Sequence, residues 1–270
     1  SSCVLRSDKS RYYSAMLNPV FHQNNVEGAV IVILDETEKE RRDALRREFT
    51  SNVSHELKTP LTSISGFAEI IMNGLCEGEE KRFAGNIYRE AKRLIVLVGD
   101  IIKLNRLDGG EFAFDEKDPD LLEIAKQTAE RLENVAQNAK VTLSVKGESV
   151  SVRGNSQILE EMIYNLADNG IKYNNPGGYV DLITFADPDG KTVGITCKDN
   201  GIGIPEDQKP RVFERFFRVD KSRSKAIGGT GLGLSIVKHG ALSHGAEISL
   251  ESKEGEGTSI TLRFPRVHEE

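Results

Sequence analysis

Hydrophobic and polar positions divide the chain into three stretches of different period. In the first, Tyr12 to Leu17 is apolar-rich, and Glu27-Gly28 leads into an unbroken apolar run from Ala29 to Leu34. Asn24-Asn25 supplies the turn signal, so the stretch reads as strands. From Thr37 the period becomes helical. Leu45, Phe49, Val53, Leu57, Leu61, Ile64 and Ile71 recur at helical spacings and predict one helix from about Glu36 to Met72. Phe83, Ile87, Leu94, Leu97, Ile101 and Leu104 mark a second helix, with Asn73-Gly74 to Gly78 as the turn between them. A hairpin of two such helices leaves apolar surface uncovered, and pairing two hairpins into a four-helix bundle buries it.

Asp108-Gly109-Gly110 ends the hairpin, and the pattern beyond it is mixed. Helices are predicted over Asp120 to Asn138, Ser156 to Tyr173 and Gly231 to Ser243. A strand is predicted over Val141 to Val145. One hairpin joins Val180–Phe185 to Val193–Cys197 across Asp187-Pro188-Asp189-Gly190, and another joins Ile248–Glu251 to Thr258–Phe264. Helices layered on an antiparallel or mixed sheet make an α/β sandwich. The expected fold is therefore α plus α/β, in three segments: 1–36 in strands, 37–109 as the hairpin, and 110–270 as the sandwich.

Composition narrows the function classes. Hydrophobic residues make up 38% and charged residues 29% of 270, an ordinary globular balance. The longest purely apolar run, Ala29 to Leu34, falls far short of the roughly 20 residues that span a bilayer. A net charge of −6 argues against nucleic acid as a partner, since neutralising phosphates needs a basic surface. Cys3, Cys76 and Cys197 lie too far apart for a zinc motif, and their odd number suits a reducing compartment.

Four constellations carry chemistry. In Ser54-His55-Glu56-Leu57-Lys58-Thr59-Pro60, His55 lies off the apolar stripe and faces solvent, and Thr59 shares its helical face. A neutral imidazole is a nucleophile, and a neighbouring carboxylate that takes its other N–H raises that reactivity. Pro60 frees the carbonyl of Glu56 and should bend the rod. On the helix from Ser156, residues Glu161, Asn165, Asn169 and Lys172 form one stripe opposite Ile158, Met162, Ile163, Leu166 and Ile171. Two amides and a cation on one face suit a magnesium ion and phosphate oxygens. Asp168 falls outside that stripe and reads as surface charge.

Asp199-Asn200-Gly201-Ile202-Gly203-Ile204-Pro205 follows a strand whose inward face is Val193, Ile195 and Cys197. Asp199 continues that face, and a carboxylate there needs a donor such as an adenine amino group. The glycines let backbone approach a flat base. Gly228-Gly229-Thr230-Gly231-Leu232-Gly233-Leu234 opens a helix, where exposed N–H groups and the dipole favour anions. It lacks the lysine of a Walker loop and does not follow a strand. Between these two lies Arg211 to Lys225, basic and containing Phe213, Phe216 and Phe217, which suggests a lid over a nucleotide.

In this order the motifs resemble the histidine, asparagine, phenylalanine and two glycine boxes of bacterial sensor histidine kinases. Gly255-Glu256-Gly257-Thr258 resembles their last glycine-threonine element, and the likeness covers about Glu38 to Pro265. Segment 1–36 resembles the closing strands of a PAS sensor domain. The resemblance implies a phosphoacceptor at His55, with Glu56 as its base and Thr59 positioning water when such kinases dephosphorylate their partner. It implies a Bergerat-type ATP-binding fold with Asn165 as the Mg²⁺ ligand. Asn169, Lys172 and Tyr173 would contact nucleotide and phosphate, Asp199 would read adenine, and Arg218 would reach the phosphates from the lid. Gly201, Gly203, Ile204, Phe213, Gly229, Thr230, Gly231, Leu232, Gly233, Leu234 and Thr258 complete the implied ATP site. The implied partners are a second copy, through the hairpin, and a response-regulator receiver. A membrane would be reached only through segments outside this chain, whose place would be the cytoplasmic portion of a membrane-anchored bacterial protein.

Two departures stand out: Phe217 where the family's lid often has Tyr, and Ala246 in place of a second glycine, with local strain expected there. A chaperone-like or topoisomerase-like ATPase of the same fold would lack the His-Glu-x-x-Thr-Pro helix. A degenerate scaffold would lack Asn165, Asp199 and the glycine run.

Overall fold

The structure is a computed structural model that describes residues 2–6, 11–22, 25–75, 77–110, 112–219 and 229–266. Residues 1–87 and 88–270 form two compact units.

The first unit opens with an antiparallel sheet of β1 (Ser2–Arg6), β2 (Tyr12–His22) and β3 (Asn25–Asp35). β1 was not expected, because five residues are too few to show a period. Asn24 of the expected turn lies outside the described residues, and Asn25 already pairs with His22. Helix α1 (Thr37–Met72) starts directly on the sheet. Thr37 is buried there: its hydroxyl accepts from Tyr12 N at 3.0 Å and its own N–H donates to Asp35 Oδ1 at 2.9 Å. Helix α2 (Glu80–Gly109) follows the turn, and Phe67 meets Phe83 with ring centroids 5.6 Å apart.

The second unit contains the rest of α2 and a two-layer sandwich. Its helices are α3 (Leu121–Ala139), α4 (Ser156–Lys172) and α5 (Gly233–Ser243). Its strands are β4 (Thr142–Gly147), β5 (Tyr179–Ala186), β6 (Thr192–Asp199), β7 (Glu247–Lys253) and β8 (Gly257–Pro265). They form a sheet in the order β4-β5-β6-β8-β7, with β4 and β5 parallel and the other pairs antiparallel. The sheet is thus mixed.

Sequence period explains the layers. Val180 and Leu182 on β5, Val193, Ile195 and Cys197 on β6, and Ile260, Leu262 and Phe264 on β8 point to one face. They join Leu132 of α3, Met162, Ile163 and Leu166 of α4, and Val237 of α5 in a single core. Asp120 caps α3 by accepting from Leu122 N at 2.7 Å, and Asn155 caps α4 by accepting from Ile158 N at 3.1 Å. Expected and observed boundaries in this unit agree within about two residues throughout, β7 and β8 included.

Candidate functional site

A cavity of about 600 Å³ opens where α4, the end of β6 and the start of α5 converge. One wall is the stripe of α4, with Glu161, Asn165, Asn169, Lys172 and Tyr173 all lining it. Asn165 donates Nδ2 to the Glu161 carbonyl at 2.8 Å and to Glu161 Oε1 at 3.3 Å. That aims Oδ1 the other way, toward Gly233, where an added methyl would stand 2.7 Å from it. Asn165 thus presents an oxygen donor to the cavity.

At the floor, Asp199 ends β6. Its Oδ1 accepts from Gly201 N at 2.8 Å and Thr258 N at 3.2 Å. Burial pushes the Asp199 carboxyl up, while these two N–H groups hold it down. Burial also pushes up the Cys197 thiol, with Asp199 and Asp181 adding to the rise, so Cys197 is a neutral apolar floor. Gly203 has φ +66°, and a methyl there would lie 2.0 Å from the Lys253 carbonyl oxygen. Only glycine lets the turn pass so close to that strand end. Ile204 N donates to Ser252 Oγ at 2.9 Å, which ties the turn to β7.

The glycine run forms the third wall. Gly229, Thr230, Gly231, Gly233 and Leu234 line the cavity, as do Ile202, Gly203, Ile204 and Thr258. Gly228 lies outside the described residues. Leu232 is buried beneath the wall. Phe216 N donates to Gly231 O at 2.8 Å, which anchors the lid segment to the run. Gly201, Leu232, Phe213 and Arg218 do not line the cavity. The part of the lid beyond Val219 is outside the described residues.

His55, on α1 in the first unit, is exposed, and Glu56 is half-buried. Thr59 is exposed too, and its hydroxyl donates to the His55 carbonyl at 3.2 Å. The helix continues unbroken through Pro60, which is buried.

Two family descriptions match. Residues 45–110 match the His Kinase A (phospho-acceptor) domain, and residues 154–268 match the histidine kinase-, DNA gyrase B- and HSP90-like ATPase. The sensor-like histidine kinase SenX3 of Mycolicibacterium smegmatis is 40% identical over 239 residues, 88% of this chain and 62% of that protein. Sensor histidine kinase WalK of Bacillus subtilis is 34% identical over 248 residues, 91% of this chain and 41% of that protein. The chain belongs to the histidine kinases. It spans about two-fifths to three-fifths of the length of these curated relatives. The fold is likewise that of solved histidine kinases. Acinetobacter baumannii AdeS superposes with TM-score 0.65 at 20% identity, over 79% of this chain and 98% of that one. ThkA, solved in complex with the response regulator TrrA, gives 0.64 at 20% identity, over 98% and 79%.

Against the histidine kinase pattern, two readings of the sequence need correction, at Asp168 and Ala246. Asp168 is no stray surface charge: it lines the cavity and accepts from Lys172 Nζ at 2.6 Å. The four-residue spacing of the pair was the signal for this. Ala246 is unstrained, because among the described residues only Lys140 and Phe216 are non-glycines with positive φ, and Gly245 takes the left-handed turn. Phe217, which carries no hydroxyl, stacks under the Arg211 guanidinium at 4.5 Å. Sequence reasoning also missed Asp100 and Lys103, cavity residues of α2. Nothing local in the sequence reports their partners, Thr230 and Glu161, 130 and 58 positions away.

Proposed function

We propose that this chain is the kinase core of a two-component sensor, in which the cavity holds Mg-ATP and His55 accepts the γ-phosphoryl group. The observation that carries the reading is the pairing of two halves: an exposed histidine beside a carboxylate on one helix, and a cavity with an acceptor at one end and an anion-favouring helix start at the other. Adenine would donate its amino group to Asp199, and the phosphates would run toward Asn165 and the glycine wall. Among the described residues no cluster of three or more His, Cys, Asp or Glu side chains could hold a metal. A lone amide oxygen fits Mg²⁺, which is commonly held by one or two protein oxygens together with phosphates and water. Bound there, Mg²⁺ would neutralise phosphate charge.

His55 acts as a neutral nucleophile. A nitrogen lone pair attacks the γ-phosphorus in line, the N–P bond forms as the bond to the β-phosphate oxygen breaks, and ADP leaves with the electron pair. Glu56 takes the proton of the other ring nitrogen. The phosphoryl group then passes to an aspartate of a response-regulator receiver, the partner class with which ThkA was solved. Thr59 spends its proton on the His55 carbonyl. Its lone pairs remain to hold a water for attack on the regulator's phosphoaspartate, releasing phosphate, so the same helix also serves dephosphorylation of the regulator. Arg218 and Phe213 belong to the lid of this site, Gly201 and Leu232 to the turns that support it.

The domain plan follows: a PAS-like segment at 1–36, the phosphoacceptor hairpin at 37–109 and the ATP-binding domain at 110–270. Two copies pair through their hairpins. Among the described residues no helix is long and apolar enough to cross a membrane. A place at the cytoplasmic side would come from segments beyond this chain.

Incubation with labelled ATP and Mg²⁺ tests the reading. Acid-labile, base-stable label is expected on the parent chain and none on His55→Gln. That variant should bind ATP within about threefold of the parent, since the cavity lies in the other unit. Label persisting on the variant would place the phosphoacceptor elsewhere.

A further inference from the structure

The cavity is not built from the sandwich alone. Five of its lining residues, Ile95, Val96, Gly99, Asp100 and Lys103, stand on α2, the second helix of the phosphoacceptor hairpin. The two polar ones are tied to the opposite wall. Asp100 Oδ2 accepts from Thr230 Oγ1 at 2.8 Å. Lys103 Nζ lies 2.6 Å from Glu161 Oε1, the same oxygen that takes Asn165 Nδ2. Lys103 is therefore two hydrogen bonds from the amide that faces the phosphates. Burial pushes the Asp100 carboxyl up, Lys103 and Lys172 hold it down, and Glu161 adds to the rise, so these groups share one field.

Helix α4 orders the cavity from end to end. At its C-terminal end, Ile202 N donates to the Tyr173 carbonyl at 3.0 Å, and a methyl on Gly170 would sit 3.7 Å from Asp199 Cβ. That is the base end. Glu161 lies nine residues earlier on the same helix, roughly 13 Å away at about 1.5 Å per residue. Lys103 is bound to Glu161 and so stands at the end of the cavity remote from the base, where the last phosphate of a triphosphate would lie.

Charge makes an exchange of partners favourable. Each cavity lysine is neutralised by a carboxylate of α4, Lys103 by Glu161 and Lys172 by Asp168. A polyphosphate entering between them brings further negative charge against Glu161, and that repulsion falls if a cation turns toward the phosphate. The Lys103 side chain is 45% exposed, and its flexible stem with three rotatable donors lets it swing between neighbouring anions.

We propose that Lys103 is a phosphate contact of the nucleotide site, leaving Glu161 for the terminal phosphate when nucleotide binds. Helix α2 thereby distinguishes nucleoside triphosphate from diphosphate. The proposal rests on the reading of the cavity as an Mg-ATP site, and the two fail in different ways. Calorimetric titration of the whole chain with Mg-ATP and with Mg-ADP separates them. Lys103→Gln should weaken Mg-ATP about tenfold, the worth of one hydrogen bond to a charged group. It should leave Mg-ADP within about twofold, which also shows that the cavity is still folded. Lys103→Arg should restore most of the loss. Equal weakening of both nucleotides, or tighter binding of both, would mean that Lys103 only clamps α2 onto Glu161, and the proposal falls. A parent chain that binds neither nucleotide overturns the reading of the cavity and the role of Lys103 with it.

Discussion

Asp199 accepts two backbone N–H groups on the same oxygen, Oδ1, which leaves Oδ2 to meet a base. That division makes Asp199→Asn a clean probe. The amide's oxygen can keep the Gly201 and Thr258 bonds, so the turn survives, while its NH₂ replaces the acceptor where adenine presents a donor. Guanine presents a carbonyl at the same position and loses nothing. Affinity for Mg-ATP should fall about tenfold or more, while that for Mg-GTP holds or improves, as read by titration calorimetry. Equal loss of both would show that Asp199 only supports the turn. The residue was legible in the sequence because an inward carboxylate ending an apolar strand is a conflict that local rules do not produce. Its donor from Thr258 was not, since Thr258 lies on another strand.

At the level of elements, His244 shows how the sandwich is closed beside the site. Asn155 N donates to its Nε2 at 3.0 Å, so that nitrogen carries no proton. Nδ1–H therefore donates to the Gly240 carbonyl, 2.7 Å away. The ring stacks on Phe114 with centroids 5.3 Å apart and meets Phe264 of β8 edge-on. One neutral imidazole thus joins the end of α5, the cap of α4 and the strand behind them. Burial pulls the His244 pKa below its ordinary 6.5, against the opposing pull of the Gly240 carbonyl and the Asp115 carboxylate. A base with a lowered folded-state pKa binds protons more readily when unfolded, so its contribution is complete above 6.5 and shrinks as pH falls below that value. The melting temperature should therefore drop as pH falls below 6.5, and the imidazole should titrate below 6.5 by NMR. An imidazole that titrates at 6.5 or above would refute this. The stripe of α4 was readable from its period at Glu161, Asn165, Asn169 and Lys172, though Asp168 beside it was misread. Helix α2 was read only as half of a bundle, because its period reports that it buries a face and not which partner covers it.

For the whole molecule, the apolar stripe of the hairpin is the feature one chain leaves unsettled. Leu45 is 65% exposed, Leu61 53% and Ile102 50%, each at a position whose period predicts burial or flanks one that does. A second copy of the same hairpin is the proposed cover, and twofold pairing presents every such residue twice. Burying one leucine side chain is worth about 1.5 to 3 kcal/mol, so placing a charge at both copies of one position removes about 3 to 6 kcal/mol of association energy. That corresponds to a rise in dissociation constant of roughly two to four orders of magnitude. Leu61→Asp is the informative change, because a side chain already half exposed in the single chain costs the monomer little when replaced. The variant should run as a monomer by light scattering at micromolar concentration, and the parent is expected to run as a dimer. It should still bind Mg-ATP like the parent, because every residue lining the nucleotide cavity lies in the unit formed by residues 88–270. A variant that remains dimeric would put the contact on another face of the hairpin. One that is monomeric and also loses nucleotide would show that pairing helps to build the cavity.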